Sequence, residues 1–121
     1  VDLTRARDFG EVEMGDGWVE RVAGTYYADA TTRRPTVGEW LEPVREPGNV
    51  HDRNAISLRL DGEHVGYVAR ETAADFAPLM DVGAELHVKV VDTAPRGQIY
   101  VEYSGEVAAA AMLAPVTGRR A

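Results

Sequence analysis

The residues with the most chemistry to offer are gathered in one stretch. From Val44 to Val68 the chain reads VREPGNVHDRNAISLRLDGEHVGYV. Within it, Arg45-Glu46-Pro47-Gly48-Asn49 is followed by His51-Asp52-Arg53-Asn54, a loop dense in charge, Pro, Gly and Asn between two alternating runs. Rigid scaffolds tend to hold such segments out for function. Asp52, between His51 and Arg53, is the sharpest of these residues. Its ionised carboxylate only accepts hydrogen bonds, which suits a hydroxyl or amine donor. Asn49 and Asn54 read equally well as formers of Asx-type turns that satisfy the loop backbone.

Two further features lie outside the loop. Tyr26 and Tyr27 are adjacent, and neighbours on an extended segment point to opposite sides. They are either one core and one surface tyrosine or a platform on which bases stack, a contact that contributes about 1–3 kcal/mol per base. Tyr67 ends an alternating run, and Arg70 opens a helical one. Tyr67 reads first as a packed strand residue with a hydrogen-bonded hydroxyl. A cation at a helix start opposes the macrodipole, so Arg70 points to an anion nearby, which the free backbone N–H groups would also attract.

Enzyme chemistry finds little support. The histidines at 51, 64 and 87 have neither HxH nor HExxH spacing, and cysteine is absent, so no metal-ligand pattern stands out. There is no phosphate-binding P-loop and no G-x-S-x-G elbow. His51 and Asp52 are sequence neighbours, which seldom face one another as an acid/base pair. The chain reads as a binding module, not an enzyme, with neither metal nor cofactor.

These residues need elements to position them. Trp18 to Ala23 reads as a short strand ending at Gly24. Val37 to Arg45 reads as another, with a bend or bulge near Pro43. Asn54 to Leu60 alternates, with Ile56, Leu58 and Leu60 on one face. Asp61-Gly62 is a two-residue hairpin signal that returns the chain along Glu63 to Val68. Within that strand Gly66 suits the close approach of another backbone or a ligand. Arg70 to Asp81 is the one main helix. Ala69, Ala73, Phe76, Ala77 and Met80 form its buried stripe, and Pro78 should kink or stop it near the last turn. Ala84 to Val91 and Gln98 to Tyr103 are two more strands, joined through Ala94-Pro95-Arg96-Gly97. The Ala-rich run Val107 to Ala114 either forms a helix that docks or dimerises, or frays. The expected architecture is mainly β (α+β): a small OB-like β-barrel of about six strands with one main helix. The expected organisation is a flexible arm over 1–16, a barrel domain over 17–104 and an Ala-rich tail over 105–121.

The chain has 121 residues and a formal net charge of −7. The charge divides into −3 over 1–16, −5 over 17–104 and +1 over 105–121. An acidic chain does not coat nucleic acid nonspecifically. A local basic pocket stays compatible with this charge, because screening acts over about 8 Å at physiological salt. No apolar run approaches the ~20 residues of a membrane span, and the first residues lack a signal peptide's apolar stretch. The expected location is cytoplasmic.

The combination Arg45-Glu46-Pro47, Asn49, Asp52, Asn54-Ala55-Ile56 and Val65-Gly66-Tyr67 resembles the HIRAN domain. That small β-rich module is found alone in bacteria and attached to helicase-like remodelling ATPases in eukaryotes. The likeness spans about residues 17–92. It implies a six-stranded OB-like barrel with a helix, and binding of single-stranded DNA at its free 3′ end. In the DNA-binding members a Tyr pair stacks on the terminal bases and an Asp in a D-x-N-A segment receives the terminal hydroxyl. By resemblance those roles fall on Tyr26 and Tyr27, and on Asp52. Neighbouring contacts fall on His51, Tyr67 and Arg70. Thr25 stands where those members carry Arg, and His51 stands where they carry an aromatic residue. The implied partner is a single-stranded DNA end met in repair or processing, with a protein or a fused ATPase or nuclease domain beside it. The other reading is a protein-interaction or regulatory module that keeps the fold without DNA binding.

Overall fold

The computed structural model describes residues 18–25 and 33–113. The arm over 1–16, the Tyr26-Tyr27 pair and the end of the C-terminal tail lie outside the described residues. In chain order the elements are β1 (Trp18–Arg21), β2 (Trp40–Arg45), β3 (Ile56–Leu60), β4 (Glu63–Tyr67), α1 (Arg70–Asp81), β5 (His87–Ala94), a 3-10 turn (Pro95–Gly97), β6 (Gln98–Ser104) and α2 (Glu106–Leu113). The six strands form one antiparallel sheet in the order β1-β6-β5-β2-β3-β4. The sheet curls into an OB-like half-barrel. Its two outer strands meet where Ala23, just past β1, pairs with Tyr67 of β4.

Alternation explains the core. Ile56, Leu58, Leu60 and Val65 from the hairpin point inward with Val88, Val90, Ile99, Val101 and Tyr103 from β5 and β6, and all are buried. Helix α1 covers this interior with Thr72, Ala73, Phe76 and Ala77. Phe76 meets Trp18 and Tyr103 edge-on, at centroid distances of 4.9 and 5.1 Å, the geometry aromatic quadrupoles prefer. Glu20 ties three elements together, accepting from Thr72 Oγ1 at 2.7 Å and from Tyr103 OH at 3.0 Å. Burial, reinforced by the Glu20 charge, pushes the Tyr103 phenol well above its ordinary range.

Several boundaries differ from the sequence reading. β2 begins at Trp40, because Val37 and Gly38 form a turn that Glu39 closes: its N–H reaches Thr36 O at 3.1 Å, and its carboxylate receives the Thr36 N–H at 2.8 Å. No irregularity falls at Pro43. β2 pairs with β5 only at Trp40 and Leu41, so Pro43 has no ladder donor to lose on that side. The register shifts lie instead at Leu58/Arg59 and Val90/Asp92. β5 begins at His87 because Glu85 binds α2 through its backbone, Val107 N–H donating to Glu85 O at 2.9 Å. Helix α1 runs through Pro78 to Asp81. The carbonyl left without a donor belongs to Ala74, on the exposed side, and Gly83 (φ 98°) closes the helix end with its N–H on Met80 O at 3.0 Å. The Ala-rich run docks: Val107, Ala108 and Ala111 of α2 are buried in the core.

Candidate nucleic-acid interface

The loop joining β2 to β3 is built by its own side chains. Glu46 N–H donates to Ala55 O at 3.0 Å, and Ala55 N–H to Asp52 O at 3.0 Å. Asn49 Oδ1 accepts from the N–H groups of His51 and Asp52, at 2.8 and 3.1 Å. Asp52 Oδ1 accepts from Asn54 N–H at 2.9 Å. These are two successive Asx turns. They fix the backbone on which Asp52 stands.

Two arginines clamp this loop to α1. Arg45, only 14% exposed, donates to Ala55 O at 2.8 Å and to Arg53 O at 3.0 Å, and pairs with Asp81 at 2.9 Å. The Arg45 guanidinium holds the Asp81 carboxyl below its ordinary range. At the other end of the helix Arg70 donates to His51 O at 3.3 Å. Its Nε lies 3.8 Å from Asp52 Oδ2, with Arg70 77% and Asp52 19% exposed.

Under the loop lies a second polar layer. Glu46 Oε1 accepts from Asn49 Nδ2 at 3.0 Å and from Tyr67 OH at 2.9 Å. Arg59 approaches Glu46 Oε2 at 3.5 Å. The Asn49 and Tyr67 hydrogen bonds hold the Glu46 carboxyl below its ordinary range. Burial, with the Glu46 charge, raises the Tyr67 phenol. The Tyr67 ring sits 4.6 Å from His64. His64 Nδ1 shares a hydrogen bond with the fully buried Ser57 Oγ at 2.7 Å, and burial lowers its pKa.

Above the loop opens a groove of about 650 Å³, lined by Arg45, Pro47, Asn49, Val50, His51, Asp52, Arg53, Asn54 and Arg70. Three arginines face one acid there, in a chain of net charge −7. Arg53 makes no side-chain ion pair among the described residues. Asp52 Oδ2 takes no hydrogen bond from Arg70 at 3.8 Å, which leaves an acceptor open toward the groove. Among the described residues no cluster of His, Asp and Glu is arranged to hold a metal ion.

The sequence-predicted site residues distribute as follows. His51, Asp52 and Arg70 line one groove. Tyr67 is not in its wall and instead supports the loop from beneath through Glu46 and Asn49. Tyr26 and Tyr27 lie outside the described residues. Thr25, just before them, passes over Gly66: a Cβ on Gly66 would meet Val22 Cγ1, would lie 3.1 Å from Ala23 O and would come within 3.6 Å of Thr25 Cα. The supporting roles of Arg45, Glu46 and Ser57 are additions of the structure. In the sequence, Arg45 and Glu46 stood out as part of the charge-dense loop and of the family resemblance, but nothing there signalled their supporting contacts, and Ser57 read only as an outward strand residue.

Comparison with known proteins agrees with this architecture. Residues 19–107 match the family model of the HIRAN domain. The chain is similar to the crystal structure of the HIRAN domain of human HLTF, with a TM-score of 0.61 and 25% identity over 78% of this chain and 81% of that one. It is similar also to the crystal structure of a protein from Lactobacillus plantarum, with a TM-score of 0.61 and 32% identity over 72% of this chain and 90% of that one. No curated protein matches it. With the family model covering most of its length and the curled sheet shared with both crystal structures, the chain belongs to the HIRAN domain family.

Proposed function

We propose that the groove is a DNA-binding site that takes the free 3′ end of a single strand, in DNA repair or processing. The observation that carries this reading is Asp52 Oδ2, an acceptor open toward the groove, 3.8 Å from the exposed Arg70 and set among three arginines. A terminal hydroxyl donating to that carboxylate makes a charge-assisted bond, roughly twice as strong as a neutral one. A terminal phosphate would bring charge against charge. Arg70 and Arg53 flank the carboxylate and suit the last internucleotide phosphates. His51, exposed beside Asp52, offers a ring and a proton donor to the terminal nucleotide. By family resemblance Tyr26 and Tyr27 supply the stacking surface for the terminal bases. Tyr67 acts from below the loop. The domain binds and does not catalyse; any ATPase or nuclease chemistry belongs to a fused or associated domain.

The test is fluorescence anisotropy on matched single strands ending in a 3′ hydroxyl or a 3′ phosphate. The hydroxyl strand should bind more tightly. Equal affinity would sink end recognition. A second reading, a protein-interaction or regulatory module without DNA binding, draws on the net charge of −7 and on Trp40, which is 58% exposed on the sheet. Absence of any binding at low salt would favour it.

A further inference from the structure

We infer that Glu46 is a positioning residue for Asp52, acting through the side-chain amide of Asn49. This rests on the reading of Asp52 as the acceptor of a DNA end. An asparagine amide has two orientations that differ by exchange of its oxygen and nitrogen. Only one of them serves this loop. Asn49 Oδ1 must face the N–H groups of His51 and Asp52, which it meets at 2.8 and 3.1 Å. The other orientation would set an NH₂ against two N–H donors. Glu46 selects between them, because a carboxylate only accepts. Its Oε1 receives Asn49 Nδ2 at 3.0 Å and so turns Oδ1 toward the loop backbone.

Glu46 is itself held by the barrel. Tyr67 OH of β4 donates to it at 2.9 Å, and Arg59 of β3 stands 3.5 Å from its other oxygen. The order of support runs from the β3–β4 hairpin to Glu46, to Asn49, to the backbone of Asp52. Glu46 does not line the groove. A substitution there reaches the groove either through the loop or through the charge it removes. Losing the charge strengthens both strands, the more highly charged 3′-phosphate strand more, and Glu46→Gln isolates that effect from loss of the acceptor.

The experiment compares Glu46→Leu with Glu46→Gln in the full chain. Gln keeps an acceptor oxygen for both Asn49 and Tyr67 but loses the charge; Leu loses both. The preference for 3′-hydroxyl over 3′-phosphate strands should fall about five-fold or more in Glu46→Leu, the loss expected of one misplaced hydrogen bond, and should stay within about two-fold of the parent in Glu46→Gln. In the free protein, the His51 and Asp52 amide resonances should move in Glu46→Leu and hold in Glu46→Gln. Glu46→Ser, whose shorter side chain gives up the 3.0 Å acceptor and leaves Asn49 Nδ2 only its 3.4 Å contact with Tyr67 OH, replaces Glu46→Leu if that variant does not fold. A preference unchanged in Glu46→Leu, or lost equally in Glu46→Gln, overturns the inference. If the parent binds no DNA, the reading of the groove fails, and the amide resonances alone decide the role of Glu46: unmoved in Glu46→Leu, they overturn it.

Discussion

Ala23 and Tyr67 exchange both of their backbone hydrogen bonds, each at 2.8 Å, and so join the first strand of the barrel to the fourth. Gly66 makes the approach possible, since a side chain there would collide with Val22 and the Ala23 carbonyl. Gly66→Ala should therefore destabilise the domain by about 1–3 kcal/mol, the usual cost of forcing a methyl into a packed site. Urea unfolding gives the energy, and hydrogen exchange at the Ala23 amide should rise by more than at the Val101 amide. Equal change at both amides would mean a global effect without opening of the seam.

Asp52 and Arg53 should separate in their effects on DNA. Asp52→Asn keeps an acceptor oxygen but removes the charge, so its 3′-hydroxyl preference should shrink while binding of 3′-phosphate strands improves. Arg53→Ala should weaken both strands alike and lower the salt slope by about 0.7, the release expected for one single-strand phosphate contact. Titrations at several salt concentrations check both outcomes. A change of end preference in Arg53→Ala would contradict the division of roles.

Arg45 should resist even its closest replacement. Lys carries the charge but cannot fork to Ala55 O, Arg53 O and Asp81 together. Arg45→Lys should cost about 1–3 kcal/mol through the partly buried carbonyl bonds it leaves unmade. Denaturant midpoints measure this. A loss below a few tenths of a kcal/mol would show that the loop closes without the guanidinium.

Acid should weaken the fold in two steps. Burial lowers the His64 pKa, so the unfolded chain takes up that proton at higher pH than the folded chain does. His64 thus favours folding fully above its ordinary value of about 6.5, and that contribution is lost as pH falls from there through the lower folded value. Glu46 acts in the same direction lower down. Its pKa is lowered by Asn49 and Tyr67, so its contribution is present above the ordinary carboxylate value of about 4.3 and is lost as pH falls through the folded value. Unfolding midpoints measured between about pH 8 and about pH 4 should decline first below about 6.5, and His64→Gln should lack that first decline.

Much of the fold was legible from side-chain period alone. The alternation of Ile56, Leu58 and Leu60, the Asp61-Gly62 turn and the helical stripe through Ala73, Phe76 and Ala77 all stand where pattern put them. What pattern missed were effects of distance in sequence. Ser57 is polar and alternates outward, yet it is fully buried because His64 and Arg59 reach over it. β2 starts late because Glu39 is engaged by Thr36 and Arg33. In the site, composition and acceptor chemistry picked out the loop and Asp52 within it, and the family resemblance supplied the expected role of Asp52. The clamp from Arg45 to Asp81 spans 36 positions and leaves no local trace.

That clamp has a consequence for which sequences this fold can tolerate. The loop is fastened near both ends of α1, by Arg70 at the first residue and by Asp81 at the last, twelve residues in all. Inserting one residue in the helix would turn one anchor by about 100° and shift it by about 1.5 Å relative to the other. Point changes on the exposed side of α1 leave both anchors standing, whereas a single insertion or deletion detaches one. Relatives that keep both anchors should therefore vary freely along the exposed side of the helix and hardly at all in how long it is.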